Sequence, residues 1–109
     1  VSLATDNVPV SLFWPIWQCI SRINRYTNAP VVADQALTRE EALRCATWNG
    51  AYLTFDEGDK GSLEAGKLAD LTVLSADPLG VEAEDIRDIT SQLTMIGGKV
   101  IHSRSGGSL

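Results

Sequence analysis

The chain opens on a short apolar run, Val1 to Thr5, closed by Asp6-Asn7, the pattern of a short buried strand. From Pro15 the apolar positions Ile16, Cys19, Ile20 and Ile23 fall at i, i+3, i+4 and i+7, while Gln18, Ser21, Arg22 and Arg25 occupy the other side. That period predicts an amphipathic helix, with Pro15 in its first turn, where a missing N–H removes no hydrogen bond. Positions 26–36 scatter Asn28, Pro30 and Asp34 without a period and read as a loop. Thr38-Arg39-Glu40-Glu41 then has the form of a capping box: the Thr38 hydroxyl accepts from the Glu41 amide, and the Glu41 carboxylate reaches back to Thr38. A second helix starts there. Leu43, Ala46 and Gly50 continue one of its faces, the small Ala46, Gly50 and Ala51 predict close packing against another element, and Gly58 and Gly61 end it.

Beyond the helices the period changes. Ala69 to Leu74 alternates with Leu71 and Val73 on one side and predicts a strand, stopped by Asp77-Pro78. Glu82-Ala83-Glu84-Asp85 reads as the solvated start of a helix. Gly97-Gly98, between Leu93-Thr94-Met95-Ile96 and Lys99-Val100-Ile101-His102, is the two-residue turn of a primed hairpin. Ser103 to Leu109 is polar and glycine-rich and predicts a frayed tail. The fold class expected is α+β, with two or three helices and a small antiparallel sheet of three to five strands.

Composition narrows the function. With 109 residues there is room for one domain, and 44% hydrophobic against 21% charged residues is globular usage. Nine Lys+Arg against 14 Asp+Glu give a net charge of −5 with no basic cluster, which excludes nucleic acid and anionic membranes as natural partners. No apolar run approaches the roughly 18 residues of a spanning helix, and no signal-peptide pattern starts the chain, so a cytoplasmic location is expected. The two cysteines, Cys19 and Cys45, lie in helical patterns without CxxC spacing and read as reduced core thiols. The chain begins at Val1, already in a strand-like run and without an initiator Met, and reads as one that starts in the middle of a longer protein.

Few residues offer chemistry. Gly61-Ser62-Leu63-Glu64-Ala65-Gly66-Lys67 matches the first seven positions of the phosphate-loop pattern G-x-x-x-x-G-K-[ST]. The eighth is Leu68, which has no hydroxyl for magnesium, and a strand follows where a helix N-terminus is needed, so a tight surface turn is the better reading. Asp6 is a candidate because barrel enzymes place catalytic groups at the C-terminal ends of parallel strands; a helix or turn cap is the alternative. His102, the one histidine, falls late in an outer hairpin strand and reads as a surface residue. One histidine with no cysteine ligand set cannot build a zinc site. Trp14, Trp17 and Trp48 can line a pocket but fit core positions better, and no GxSxG elbow appears.

Several stretches fall in one order: Ser2-Leu3-Ala4-Thr5-Asp6-Asn7-Val8-Pro9-Val10, Thr38-Arg39-Glu40-Glu41-Ala42-Leu43 with Ala46-Thr47-Trp48-Asn49-Gly50-Ala51, and the run Gly61 to Pro78 containing GSLEAGKLADLTVL. With Thr94-Met95-Ile96-Gly97-Gly98-Lys99-Val100-Ile101, this resembles the C-terminal end of metal-dependent amidohydrolases, in the branch similar to N-acyl amino acid deacylases and exoenzyme-regulatory proteins. The resemblance covers nearly the whole chain and implies a (β/α)8 barrel holding one or two divalent metals, zinc first among them, with a β-sandwich built from both chain ends. It makes Val1 to Thr5 the eighth barrel strand and Asp6 the aspartate that ligates metal and takes a proton from the metal-bound water. Residues 1–55 become the last strand and closing helices of the barrel, 56–103 the C-terminal strands of the sandwich, and 104–109 a disordered tail. The family's remaining ligands, an HxH and further histidines, would lie upstream. The expectation is an inactive C-terminal fragment of an enzyme acting on small-molecule amides, with no metal bound to this chain alone and self-association through exposed strand edges. A non-enzymatic α+β oligomerisation or interaction module is the alternative.

Overall fold

The first helix, α1, spans Phe13–Ser21 in a computed structural model that describes residues 1–4, 11–24 and 26–104. Ile16, Cys19 and Ile20 of the apolar stripe read from the sequence lie within it, Ile16 buried beside Trp17, whereas Ile23 packs on the same core from beyond the helix end. Pro15 is the third helical residue, so its missing N–H belongs to the unbonded first turn. The helix stops at Arg22, which takes a left-handed φ of 54° and donates its N–H to the Gln18 carbonyl at 2.8 Å. The loop expected over 26–36 is irregular except for a 3-10 turn, Ala33–Gln35, and a bridge between Ile23 and Pro30.

Helix α2, Arg39–Ala46, starts on the capping box: Glu41 N–H donates to Thr38 Oγ1 at 3.2 Å, and Thr38 N–H donates to Glu41 Oε2 at 3.3 Å. Ala42 and Cys45 are its buried face. The single long helix expected to run toward Gly58 does not form. It breaks at Thr47 (φ −122°, ψ −86°) and resumes as α3, Trp48–Leu53, five residues short of Gly58. The Thr47 hydroxyl donates to the Leu43 carbonyl at 2.8 Å, and Thr54 Oγ1 donates to the Ala51 carbonyl at 3.2 Å. Such back-bonding offers the carbonyls an alternative to the helical ladder and bends or ends it. The predicted close approach is met at Gly61, where φ is +95° and a Cβ would sit 2.7 Å from Ala51 Cβ and 3.2 Å from Trp48 Cα.

The sheet is an antiparallel meander in the order β1-β2-β3, with β1 Leu71–Leu74, β2 Ser91–Ile96 and β3 Lys99–Ser103. Leu71 pairs with Met95 and Leu93 with Ser103, and a register shift interrupts each ladder. Gly97 and Gly98 turn the hairpin with φ of 57° and 82°, as a type I′ turn requires. Between β1 and β2 the acidic run opens a helix, as expected, of the 3-10 kind, Ala83–Asp88. Its Ile86 is fully buried against α1 and joins Ile16, Trp17 and Ala42 in the core. The Arg39 guanidinium fastens this connection to α2 by donating to the carbonyls of Pro78, at 3.1 Å, and Val81.

Two further readings need correction. Residues 1–4 form no strand among the described residues. A strand needs a neighbour for its N–H and C=O groups, and the sheet here is built wholly from 71–103; the opening segment bonds to a helix end instead, Leu3 N–H donating to the Cys45 carbonyl at 3.1 Å. At the other end, Ser103 closes β3 and Arg104 donates its N–H to the Gln92 carbonyl at 2.9 Å, while the rest of the expected tail, 105–109, lies outside the described residues. No helix among the described residues is long and apolar enough to cross a membrane.

Candidate functional site

Asp6, the candidate ligand and base, lies outside the described residues, but the chain leading to it is described. Asn49, the second residue of α3, donates its side-chain Nδ2 to the Val1 carbonyl at 2.7 Å and to Cys45 Sγ at 3.5 Å. With the bond from Leu3 to Cys45, this lays residues 1–3 across the junction of α2 and α3. Leu3 packs on the core, and Ser2 Oγ lies 3.6 Å from where a Gly50 Cβ would be. Asn49, one turn beyond Cys45, thus lies beside the incoming segment.

Among the described residues no three His, Cys, Asp or Glu side chains come together as a metal site. His102 is exposed on β3, as the sequence implied, and its neighbours supply no ligand set. The described residues therefore do not by themselves fit a divalent ion, for which three or so protein ligands are the norm. Both cysteines are free, Cys45 buried and Cys19 partly so. Burial pushes the Cys19 thiol above its ordinary value, the nearby Cys45 adds to this, and Arg22 opposes it, an environment that keeps the thiol protonated and unreactive.

The glycine-lysine loop is a turn. Lys67 Nζ donates to Ser62 Oγ at 2.7 Å and pairs with Glu64 at 2.9 Å, so the lysine is tied to its own loop. Glu64, bonded first by the Ser62 hydroxyl and then by Lys67, is held below the usual carboxylate range. Trp14 and Trp17 are core-forming, meeting edge to face at 5.7 Å with the Arg87 guanidinium 5.5 and 4.8 Å from their ring centres. Trp48 stacks on Tyr52 at 5.1 Å under Arg44 and lines a groove outside the core cluster, so of its two readings the pocket one holds.

That groove, of about 1250 Å³, separates α2 and α3 from β1 and β2. Leu43, Trp48, Leu71, Met95 and Ile96 contribute apolar walls, and Glu40, Glu64 and Asp70 an acidic margin. Asp70 already accepts the Gly97 N–H at 2.7 Å and anchors the hairpin. The one hydroxyl–carboxylate contact among its lining residues, Ser62 to Glu64, is tied up by Lys67, and the volume exceeds the roughly 300–1,000 Å³ of small-molecule sites. The residues that sequence reasoning missed are Asn49, Arg39 and Arg87. Asn49 stood inside a quoted motif, yet nothing in its spacing showed that its partner would be residue 1.

Comparison with known proteins bears on this arrangement. Residues 1–102 match the profile described as the amidohydrolase family. The chain is 35% identical over 109 residues to N-substituted formamide deformylase of Arthrobacter pascens, covering 97% of this chain and 20% of that protein. It is 29% identical over 65 residues to the amidohydrolase YtcJ of Bacillus subtilis (strain 168), covering 60% of this chain and 12% of that one. The chain thus spans about a fifth or less of the length of these relatives. No solved structure matches it.

Proposed function

The chain belongs to the amidohydrolase family, and we propose that it is the C-terminal part of an enzyme that hydrolyses non-peptide carbon–nitrogen (amide) bonds with metal-activated water. The match over residues 1–102 carries this reading, since it takes in Asp6 together with the helical and sheet segments in one order. A divalent metal, zinc in this reading, would supply the activation of water at neutral pH. The role of this chain is narrower. Asp6 offers an anionic oxygen that can hold a metal and accept a proton, and the other donors come from chain outside these 109 residues. Residues 1–55 would close the barrel and 56–103 would complete the sandwich, with the 3-10 helix Ala83–Asp88 packed back on α1. The isolated chain is inactive in this reading, is cytoplasmic, and self-associates through its outer strands, β1 and β3.

A chimera of the Arthrobacter deformylase, with its matched segment replaced by residues 1–102, tests the proposal with an N-substituted formamide as substrate. Formate release that requires zinc, disappears with Asp6→Asn and is absent from the 109-residue chain alone is the expected result. A chimera that melts cooperatively but hydrolyses nothing would overturn the reading, as would full activity of its Asp6→Asn variant or metal-dependent hydrolysis by the isolated chain.

A further inference from the structure

We propose that the groove between α2–α3 and β1–β2 receives a cationic amphipathic helix of a partner protein. The walls are apolar side chains, Leu43 and Trp48 on the helical side and Leu71, Met95 and Ile96 on the sheet side. An extended segment laid between such walls would leave its N–H and C=O groups without partners, whereas a helix satisfies its own and needs only to bury an apolar stripe. The size agrees. A helix about 10 Å across has a cross-section of about 80 Å², so a groove of about 1250 Å³ takes a length of about 16 Å, or about three turns. Three turns present apolar residues at i, i+3, i+4 and i+7, a stripe that two opposed walls can clasp.

Charge decides the sign of the partner. Four carboxylates line the groove, those of Glu40, Glu41, Glu64 and Asp70, against one cation, Arg44. Glu64 is neutralised by Lys67 at 2.9 Å. Glu41 and Asp70 accept only backbone N–H groups, of Thr38 at 3.3 Å and of Gly97 at 2.7 Å, and these carry no formal charge. Glu40 forms no ion pair among the described residues. Arg44 lies one turn beyond Glu40, yet its guanidinium sits over the Trp48 ring at 5.1 Å and pairs with no carboxylate among the described residues. Three uncompensated carboxylates against one guanidinium leave the rim with a surplus of two negative charges. An acidic helix is repelled from such a rim, whereas lysines or arginines flanking an apolar stripe meet both the rim and the walls. The proposal goes beyond the hydrolytic reading and does not rest on it, since no residue of the groove has been given a part in hydrolysis.

The probe is a fluorescein-labelled peptide of about fourteen residues, with leucine at i, i+3, i+4 and i+7 and lysine elsewhere, titrated with the 109-residue chain and followed by anisotropy. Saturable binding is expected, weakening several-fold as salt is raised from about 50 to about 300 mM. The same peptide with glutamate in place of lysine should bind about tenfold more weakly or not at all. Glu40→Lys, at an exposed position, is expected to weaken binding by about threefold or more. Ile96→Asn, at a position 55% exposed, should weaken it by about fivefold or more. Ile101→Thr, on the same sheet but outside the groove, should bind as the native chain does. If Ile96→Asn fails to fold, Glu40→Lys and the glutamate peptide decide. Absence of saturable binding, equal binding of the two peptides, or unchanged affinity in Glu40→Lys overturns the proposal. Concentration-dependent self-association that Ile96→Asn removes would give the groove to a second copy and overturn it as well. So would a deformylase chimera that excludes the peptide, because the rest of the parent would then fill the groove.

Discussion

The helical layer and the sheet solve the burial problem differently. Around α1, side chains from α2, the 3-10 helix and the opening segment converge on Ile16, Trp17, Ala42 and Ile86, and this layer closes its own core. The sheet does not. Of its strand residues only Leu93 is buried, while Val73, Ile96, Val100 and Ile101 are exposed. The physical difference lies in the number of faces to be covered. A helix has one apolar stripe, and a neighbouring helix and a turn satisfy it; a three-stranded sheet has two faces and two edges, and the helices reach it across an open groove. The lesson is that membership of one chain does not imply one degree of self-sufficiency.

The sharpest way to break that contrast is to remove matched side chains from its two sides. Ile86→Ala, at a fully buried position, is expected to lower the unfolding free energy by about 2–5 kcal/mol. Ile101→Thr, at a position 56% exposed, is expected to change it by no more than about 0.5 kcal/mol. Urea titration followed by circular dichroism reads both, and equal losses would mean that the sheet has a hidden core of its own. Next in size is Thr38→Ala, which removes the acceptor of the capping box and should cost about 1 kcal/mol in the same titration. An unchanged midpoint would show that α2 is held by packing alone.

The smallest effect depends on pH. Burial raises the Cys19 pKa, so folding favours the protonated thiol. Its contribution is complete below the unfolded value of 9.0 and is lost as pH rises through the folded one. Thermal melts of the native chain should therefore decline more steeply above about pH 9 than those of Cys19→Ala. Parallel declines would exclude Cys19 as the cause and place the alkaline sensitivity elsewhere in the molecule.

Elements whose signals are local were legible. The capping box at Thr38 and Glu41 needs only four consecutive residues, and the Gly97-Gly98 hairpin needs two residues free to adopt positive φ; both formed as read. The stripe of α1 needs only a period. The break at Thr47 was not legible, because threonine in mid-helix is ordinary until its hydroxyl takes a carbonyl of the preceding turn. The opening run failed for a different reason: Val1, Leu3 and Ala4 in a run of five announce burial, and burial can be against a sheet or against a helix end. Asp6 was a candidate by its position after the opening run, was given its role by the resemblance, and lies outside the described residues, so the legible part of the candidate site is its approach along residues 1–4.

The sequence alone determined the helix starts, the turn chemistry, the acidic net charge and the family to which the chain belongs, since each is encoded in neighbouring residue types or in an ordered set of motifs. Only the tertiary structure decided where the Asn49 amide goes, which carbonyls Arg39 ties together and which apolar residues stay exposed. Those outcomes join residues up to 48 positions apart, and side-chain donors choose among distant carbonyls only after the packing has brought one of them within reach.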